Sequence, residues 1–370
     1  MRSIPATSRR LRSRRARLAL TATATGIATA AVLTGTSGLS ALASGPTGFT
    51  ETDLVSDTPH TAQITDANLE NPWGIALGPG TPLWVADNHT SNATIYSGAN
   101  GNQPVSKSQL TVKLPNSPSG QVFNDRAMVD HNAFLVKSGH QKLPATFLFA
   151  TRDGSIAGWP ATDPPATSIR PAVTVPGANY TGLALARVHG HDELFAANHG
   201  SQARVDVFDS KFHMIGSFKD NSLAGLMPYN VKVLQGKLFV TYEASDGSNI
   251  HPSAAIDEFT LTGHKIKTLV KGGHLSGPWG MVIAPSHWGS FGNDLLVGNE
   301  DGGNINAYDP NTGAFKGTVR NGNGKQFAHD GLWSLSFGNG VFGTPRTLIF
   351  VAGVGEYEHG LLGTLTPAVN

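Results

Sequence analysis

The sequence predicts an all-β fold, a six-bladed β-propeller of four-stranded antiparallel blades. Composition is the first observation: the chain has 44 Gly and 22 Pro with only 14% charged residues, which is typical of many short strands and turns. The second is that no 3.6-residue apolar stripe runs through the most regular stretch, residues 277–319. The third is a set of similar segments that recur about every 50 residues, a period typical of propeller blades.

A complete blade can be read within residues 277–319. Four short apolar or alternating runs lie at residues 281–284, 295–298, 305–308 and 314–319. Gly302 and Gly303 suit a hairpin because glycine accepts positive φ, and Pro310 suits a second turn because its φ is preset. The stretch therefore predicts an antiparallel meander, which alone would have two open edges.

Five further segments resemble the start of this blade. Residues 71–77 read Asn-Pro-Trp-Gly-Ile-Ala-Leu, close to Gly-Pro-Trp-Gly-Met-Val-Ile at residues 277–283. Weaker copies begin near residues 179, 228 and 330, and the least regular one begins at Asn124. Each copy is followed by an apolar second strand, a polar turn and a third strand. Six such units predict six blades, because closure into a ring hides the edges that each sheet would expose alone.

The sixth unit leaves too few residues for a complete outer strand. Residues 50–56 precede the first unit and belong to no other. We therefore predict that this N-terminal segment is the outer strand of the last blade and closes the ring. The alternative is an unpaired N-terminal arm.

Residues 1–43 are predicted to be a signal peptide, and residues 44–370 a single propeller domain. Seven arginines and no acidic residue precede an Ala/Thr/Leu-rich stretch, and Ala41-Leu42-Ala43 matches the small-residue pattern of a cleavage site. We expect a secreted protein, extracellular or periplasmic. Arg14 and Arg15 fit a twin-arginine export signal, and an ordinary secretory signal fits equally.

Charge and composition exclude several classes of protein. Without the seven N-terminal arginines, 20 basic residues face 26 acidic ones, a net charge of −6 with neutral histidines. A mildly acidic domain is a poor nucleic-acid binder, so we expect no nucleic-acid partner. No second apolar run is long enough to span a bilayer, so we expect no membrane contact after cleavage. We also expect a monomer. The absence of cysteine excludes disulfides and thiol catalysis.

The loops around one mouth of the central channel are the predicted binding site. In a four-stranded blade, the loop that enters the innermost strand and the loop between the second and third strands lie on the same face. The candidate binding residues in these loops are Asn71, Asn124, Arg152, His199 and Glu300. The loops are rich in carboxylate and amide oxygens, which hard cations such as Ca²⁺ prefer.

Several motifs in the predicted domain can be compared with known propellers. They are Asn-Pro-Trp-Gly at residues 71–74, Trp-Val-Ala-Asp-Asn at 84–88, Gly-Pro-Trp-Gly at 277–280, Gly-Asn-Glu-Asp-Gly at 298–302 and Gly-Leu-Leu-Gly at 360–363. With these motifs the chain resembles an uncharacterised family of secreted six-bladed propellers related to the NHL and TolB-like group. The resemblance covers essentially the whole mature chain and implies the fold, with no assigned reaction.

Six-bladed relatives that act as lactonases or lyases hold a metal at the entrances of their inner strands. By resemblance of position, Asp125, Asn179, Asn230 and Asp330 would be metal ligands for a Ca²⁺-type cofactor, with His329 as a general base. Asn and Asp are also ordinary turn residues. Trp73 and Trp279 occupy equivalent repeat positions, so we expect them to pack between blades.

Two functions from different classes remain open. We favour the binding of a small molecule, carbohydrate or protein at the channel mouth, because no nucleophile elbow, phosphate loop or zinc-protease motif is present. The alternative is a metal-dependent hydrolase or lyase acting on an ester or lactone, which the Asn, Asp and His residues of the loops favour. A propeller fold hosts both classes, so the fold does not decide between them.

Overall fold

Six antiparallel sheets surround a central channel in the computed structural model, which describes residues 48–244 and 253–368. Each inner strand contacts the inner strands of both neighbouring blades, and the sixth contacts the first. The chain is therefore the six-bladed propeller that the sequence predicts. No helix among these residues is long and apolar enough to cross a membrane. The predicted signal peptide lies outside the described residues.

Strands are numbered along the chain, and the first two belong to the last blade. They are β1 (Phe49–Ser56) and β2 (Ile64–Thr65). Blade 1 contains β3 (Pro72–Ala76), β4 (Leu83–Asp87), β5 (Asn92–Ser97) and the short outer strands β6 (Ser106–Lys107) and β7 (Val112–Lys113). Blade 2 contains β8 (Pro118–Phe123), β9 (Leu135–Ser138), β10 (Gln141–Thr151), β11 (Ser155–Pro160) and β12 (Pro171–Thr174).

The other blades have a more regular order. Blade 3 contains β13 (Tyr180–Val188), β14 (His191–Asn198), β15 (Arg204–Asp209) and β16 (Met214–Phe218). Blade 4 contains β17 (Leu226–Leu234), β18 (Lys237–Ala244), β19 (Ala254–Phe259) and β20 (Lys265–Lys271). Blade 5 contains β21 (Pro278–Ile283), β22 (Leu295–Asn299), β23 (Ile305–Tyr308) and β24 (Phe315–Thr318). Blade 6 contains β25 (Leu332–Phe337), β26 (Leu348–Ala352) and β27 (Leu361–Pro367). Within residues 48–244 and 253–368, two 3₁₀ helices span Asp125–Met128 and Gly289–Phe291.

The N-terminal strand closes the ring as predicted. Strand β1 pairs antiparallel with β27, from Phe49 opposite Pro367 to Ser56 opposite Leu361, with an irregularity after Asp53. Strand β2 adds a short parallel pairing to the outside of β1. The last blade therefore combines both ends of the described chain, and β27 has no open edge along this pairing.

The Trp-Gly pair of the repeat has two separate roles at the channel. Trp279 of blade 5 is fully buried, and its Nε1 donates to the carbonyl oxygen of Thr181 in blade 3 at 3.1 Å. Its indole meets Trp73 and Trp333 edge-on, with ring centroids 6.3 and 6.0 Å apart. Trp73 and Trp279 thus pack between blades as expected, and their contact joins blades 1 and 5, which are not neighbours in the ring.

The glycine after Trp279 lies where two inner strands approach most closely. A Cβ on Gly280 would lie 2.4 Å from the backbone oxygen of Trp333 in the next blade. Side-chain carbons do not approach an oxygen so closely, so this position requires a residue without Cβ. The glycine of the motif therefore serves blade-to-blade packing.

The position predicted for the inner strand of blade 2 is wrong. The inner strand β8 ends at Phe123, so Asn124 and Asp125 follow this strand instead of preceding it. Asn124 caps a 3₁₀ helix: its Oδ1 accepts from the Arg126 N–H at 3.1 Å, and its Nδ2 donates to the Ala145 carbonyl at 2.7 Å. Both residues therefore lie at the opposite end of the inner strand from the predicted binding site.

Candidate functional site

A cavity of about 350 Å³ opens at the channel mouth where the inner strands begin, and we call it the entrance cavity. All six blades contribute to its lining. The residues that carry its chemistry are Asn71 and Trp73 of blade 1, Arg152 of blade 2, His199 of blade 3, Glu243 of blade 4, Glu300 and Asp301 of blade 5, and Trp333 and Tyr357 of blade 6. Polar side chains thus surround an aromatic floor.

The floor is held by one buried amide. Asn71 has φ 44°, in the left-handed region that asparagine tolerates better than most residues. Its Oδ1 accepts from Trp73 Nε1 at 3.2 Å and from Trp333 Nε1 at 2.9 Å. The two indoles stack with ring centroids 3.8 Å apart. A single side chain therefore satisfies both buried indole donors, which otherwise would cost about 1–3 kcal/mol each.

One side of the entrance cavity is acidic. Glu300 is buried and accepts hydrogen bonds from the hydroxyls of Tyr229, at 3.5 Å, and Tyr357. Burial, with the charges of Glu243 and Glu300, raises the pKa of Tyr229 well above its usual value, so this phenol remains a donor at neutral pH. Asp301 is exposed beside Glu300, and its Oδ2 accepts from the Ser276 hydroxyl at 3.1 Å.

The opposite side carries the cation and an imidazole. The guanidinium of Arg152 lies 5.5 Å from the centre of the Trp73 ring, within cation–π range, and its Nε is 3.5 Å from Asn179 Oδ1. On the floor side, the Asn71 amide nitrogen lies 3.2 Å from His89 Nε2. Arg152 comes from blade 2, whereas the carboxylates come from blades 4 and 5, so the two signs of charge lie on different sides of the cavity.

His199 links two blades at the edge of the acidic side. Its Nδ1 lies 3.2 Å from the carbonyl oxygen of Pro228, and its Nε2 lies 3.5 Å from Glu243 Oε1. The ring also lies beside Tyr229, with centroids 5.1 Å apart. Since a carbonyl only accepts, Nδ1 is the donor in the first contact, and Nε2, beside Glu243, is the candidate proton acceptor.

The structure brings together four of the five predicted binding residues. Asn71, Arg152, His199 and Glu300 all line the entrance cavity. Asn124 does not, because it follows the inner strand of its blade and is completely buried there. The sequence reasoning depended on which loop each residue occupies, and only in blade 2 was that loop misassigned.

The predicted metal ligands do not converge. Asp125 is at the other end of the channel, and Asp330 is exposed outside the entrance cavity. Asn230 is buried between blades, with its Nδ2 donating to the Trp279 carbonyl at 2.7 Å and its Oδ1 accepting from the Val231 N–H at 2.8 Å. Asn179 reaches the cavity only through its contact with Arg152. These residues therefore do not fit a shared Ca²⁺ site.

His329 is also away from the entrance cavity. Its Nε2 pairs with Glu51 on the closing strand β1, and Asp53 completes a group of three possible metal-ligand side chains there. Glu51 is exposed, and the group is the one set of this kind found in the described parts of the chain. The placement predicted for His329, at the channel mouth, is wrong because its loop turns outward toward β1.

Sequence reasoning missed the aromatic half of the site. Trp333 lies in the sixth copy, which begins near residue 330, and it has the repeat position of Trp73 on its inner strand. Tyr229 lies in the copy that begins near residue 228, where an inner-strand packing residue is equally expected. Tyr357 lies in a loop without repeat character, and no sequence signal pointed to it.

A second cavity of about 350 Å³ opens at the other end of the channel, and we call it the far cavity. The ends of the inner strands line it, mainly with aliphatic side chains such as Ile75, Leu183 and Val233. Lys232 and Asp125 are the charged side chains in its lining. The three central tryptophans belong to the inner-strand starts, so the two cavities face opposite ends of the channel.

Comparison with known proteins identifies relatives of the whole domain. Uncharacterised protein R648 of Acanthamoeba polyphaga mimivirus is 30% identical over 332 residues, which cover 84% of this chain and 78% of that protein. Uncharacterised protein L690 of the same virus is 28% identical over 331 residues, covering 84% of each chain. No family model matches the chain.

Similar solved structures are propellers with low sequence identity. A streptogramin B lyase structure has a TM-score of 0.49 and 10% identity, covering 86% of this chain and 97% of that chain. The WD40 propeller domain of Doa1 has a TM-score of 0.45 and 11% identity, covering 80% of this chain and 92% of that chain. By its relationship with the viral proteins over most of both lengths, the chain belongs to the family of R648 of Acanthamoeba polyphaga mimivirus.

Proposed function

We propose that the protein binds a small polar molecule that carries an amine, held in the entrance cavity with the amine toward Glu243, Glu300 and Asp301. The observation that carries this proposal is the separation of charge across one cavity: three carboxylates lie on one side and one guanidinium on the other. With neutral histidines the lining is net negative. A cationic ligand is therefore favoured over a neutral or anionic one of the same shape.

Size and floor chemistry support a small ligand. A volume of about 350 Å³ is at the lower end of the range for small-molecule sites, and it accommodates a compact ring or short chain better than a protein segment. The tryptophan floor offers apolar area beneath the polar groups, and Arg152 is placed to meet a hydroxyl or carboxylate at the other end of the ligand. An amino sugar or a small zwitterion combines these features.

A series of ligands that differ only in charge tests the proposal. We expect glucosamine to bind at least about tenfold more tightly than glucose, and glucuronate to bind more weakly than either. A second series should give the same order, with ethanolamine tightest, ethylene glycol weaker and glycolate weakest. Isothermal titration calorimetry at low salt measures these affinities. Asp301→Asn should weaken the binding of the amine by about tenfold, since it removes one exposed carboxylate from the lining.

Asp330→Asn is the matched control, because Asp330 is an exposed aspartate outside the entrance cavity. It should leave the affinity for the amine unchanged. Equal affinity for the neutral and amine members of both series would disprove recognition of a cation. Saturable binding of glucose alone would instead establish a carbohydrate site.

The pair of His199 and Glu243 favours a second candidate, a hydrolase or lyase acting on an ester or lactone in the same cavity. In this case His199 Nε2 is the proton acceptor, the Pro228 carbonyl at Nδ1 orients the ring, and Glu243 lies beside Nε2. His199→Gln should then abolish turnover of a lactone or ester panel while leaving ligand affinity within about threefold. Absence of turnover by the unaltered protein rejects the catalytic candidate and leaves the binding proposal intact.

We further propose that the mature protein begins at Ser44 and acts outside the cytoplasm as a monomer, related to the NHL and TolB-like propellers. The arginine-rich start and the Ala41-Leu42-Ala43 pattern support export. Expression of the full chain with its natural N-terminus should yield an exported species whose N-terminal sequence starts at Ser44. Retention of the arginine segment in the exported protein would reject the proposed cleavage site.

A further inference from the structure

The far cavity contains a buried polar side chain without a protein partner. Gln121 lies on β8, is only 2% exposed and belongs to the cavity lining. Neither its Nε2 nor its Oε1 has a hydrogen-bond partner among the described residues. A buried amide without partners costs free energy, so such a group is expected where a polar molecule completes its hydrogen bonds.

The far cavity also contains a cation without a counter-ion. Lys232 on β17 is half-buried and makes no ion pair or hydrogen bond within the described part of the chain. Burial alone lowers the pKa of its ammonium to about 8. Asp125, the other charged side chain in this lining, is exposed and does not contribute to that pKa change.

Apart from Ser336, the other side chains of the far cavity lining are apolar. Leu77, Val122, Leu185 and Val233 come from the ends of the inner strands of four blades. A fully hydrated ion would leave these apolar side chains in contact with water, whereas the apolar body of an organic molecule would bury them. One ammonium balances one negative charge, which favours a carboxylate over a doubly charged phosphate.

We propose that the far cavity is a second ligand site, which binds a small carboxylate with an apolar body through Lys232 and Gln121. One carboxylate oxygen accepts from the Lys232 ammonium and the other from Gln121 Nε2, while the aliphatic side chains cover the apolar body. This site is independent of the amine site proposed above, because the two cavities open at opposite ends of the channel and share no lining residue.

Hexanoate, hexanol and hexylamine are suitable probes, because they share one apolar chain and differ in the charge of the head group. Calorimetry with the full chain should show one hexanoate per protein, bound at least about tenfold more tightly than either of the other probes. Lys232→Met should weaken hexanoate binding by at least about tenfold while keeping a side chain of similar length. Lys142→Met is the control, since Lys142 is exposed and outside the cavity.

The Lys232→Met variant should fold, because the substitution removes a partly buried and unpaired charge. We expect its melting temperature to rise by about 2 °C. If Lys232→Met lowers the melting temperature, Lys232→Gln provides the same loss of charge with a polar side chain. The hexanoate affinity of the unaltered protein should also fall above about pH 8, because the Lys232 ammonium loses its proton there.

Three results would overturn the proposal. They are equal hexanoate affinity in the unaltered protein and Lys232→Met, equal affinity for hexanoate and hexanol, and no saturable hexanoate binding up to millimolar concentration. Asp301→Asn separates the two sites, because it changes amine binding in the entrance cavity and should leave hexanoate binding unchanged. Failure of one proposal therefore does not imply failure of the other.

Discussion

Gly120→Ala should destabilise the propeller by at least about 3 kcal/mol, seen as a lower midpoint of denaturant unfolding. A Cβ on Gly120 would lie 2.4 Å from the backbone nitrogen of Leu183 and 2.6 Å from the carbonyl carbon of Gly182. All of these atoms belong to the inner strand of the next blade. They cannot move aside as a flexible side chain would, so one blade must shift against its neighbour.

Gly216→Ala is the control for this substitution. Gly216 lies on the outer strand β16 with exposed surroundings, and a Cβ there would meet no atom within 4 Å. Its replacement should change the free energy of unfolding by no more than about 0.5 kcal/mol. Similar losses from both alanines would mean that glycine matters through strand propensity and that the close approach of inner strands is unimportant.

Gly120 shows why the repeat predicts the fold correctly but misplaces the inner strand of blade 2. A propeller repeat is a pattern of strands and turns, so five good copies were enough to establish the architecture. In blade 2 the inner strand has Ser119-Gly120 where blades 1 and 5 have Trp-Gly, so no tryptophan marks the start of this strand. The copy predicted to begin at Asn124 contains the apolar residues Met128 and Val129, but both are 66% exposed, Met128 at the end of a 3₁₀ helix and Val129 directly after it.

The sequence predicts where the candidate site lies better than it predicts which side chains contact one another there. Strand order alone places the loops of Asn71, Arg152, His199 and Glu300 at one channel mouth. The hydrogen bond from Trp333 to Asn71 joins residues 262 positions apart, and no local pattern encodes such a pairing. Asn230 illustrates the converse: an asparagine at a strand entrance was assigned to a metal, although its amide joins two blades.

The two cavities differ because different parts of each blade line the two ends of the inner strands. Where the strands begin, long polar side chains from the loops reach over the tryptophan floor. Where they end, the lining consists of residues at or near the strand ends, and most of their side chains are aliphatic. One ring of strands thus presents a cavity with three carboxylates and a guanidinium at one mouth and a cavity with mostly aliphatic side chains at the other.

Phe49→Ala should cost about 3–5 kcal/mol of stability, because Phe49 anchors the strand that closes the ring. Its side chain is 3% exposed, and its ring lies 4.3 Å from Trp288 and 6.0 Å from Phe291, centre to centre. Its backbone N–H donates to the Arg320 carbonyl at 2.9 Å, so this residue joins β1 to blade 5 as well as to β27.

The loss of stability in Phe49→Ala should appear mainly at the pairing of β1 with β27, which closes the ring. Weakening β1 uncovers the hydrogen-bonding edge of β27, so amide exchange in β27 should accelerate before that of the inner strands, and the variant should associate more readily. Phe315→Ala is the control, since Phe315 is 40% exposed on an outer strand, and it should cost no more than about 1 kcal/mol. If the two variants lose equal stability and β27 exchanges as in the unaltered protein, closure depends on backbone pairing alone and the aromatic anchor has no part in it.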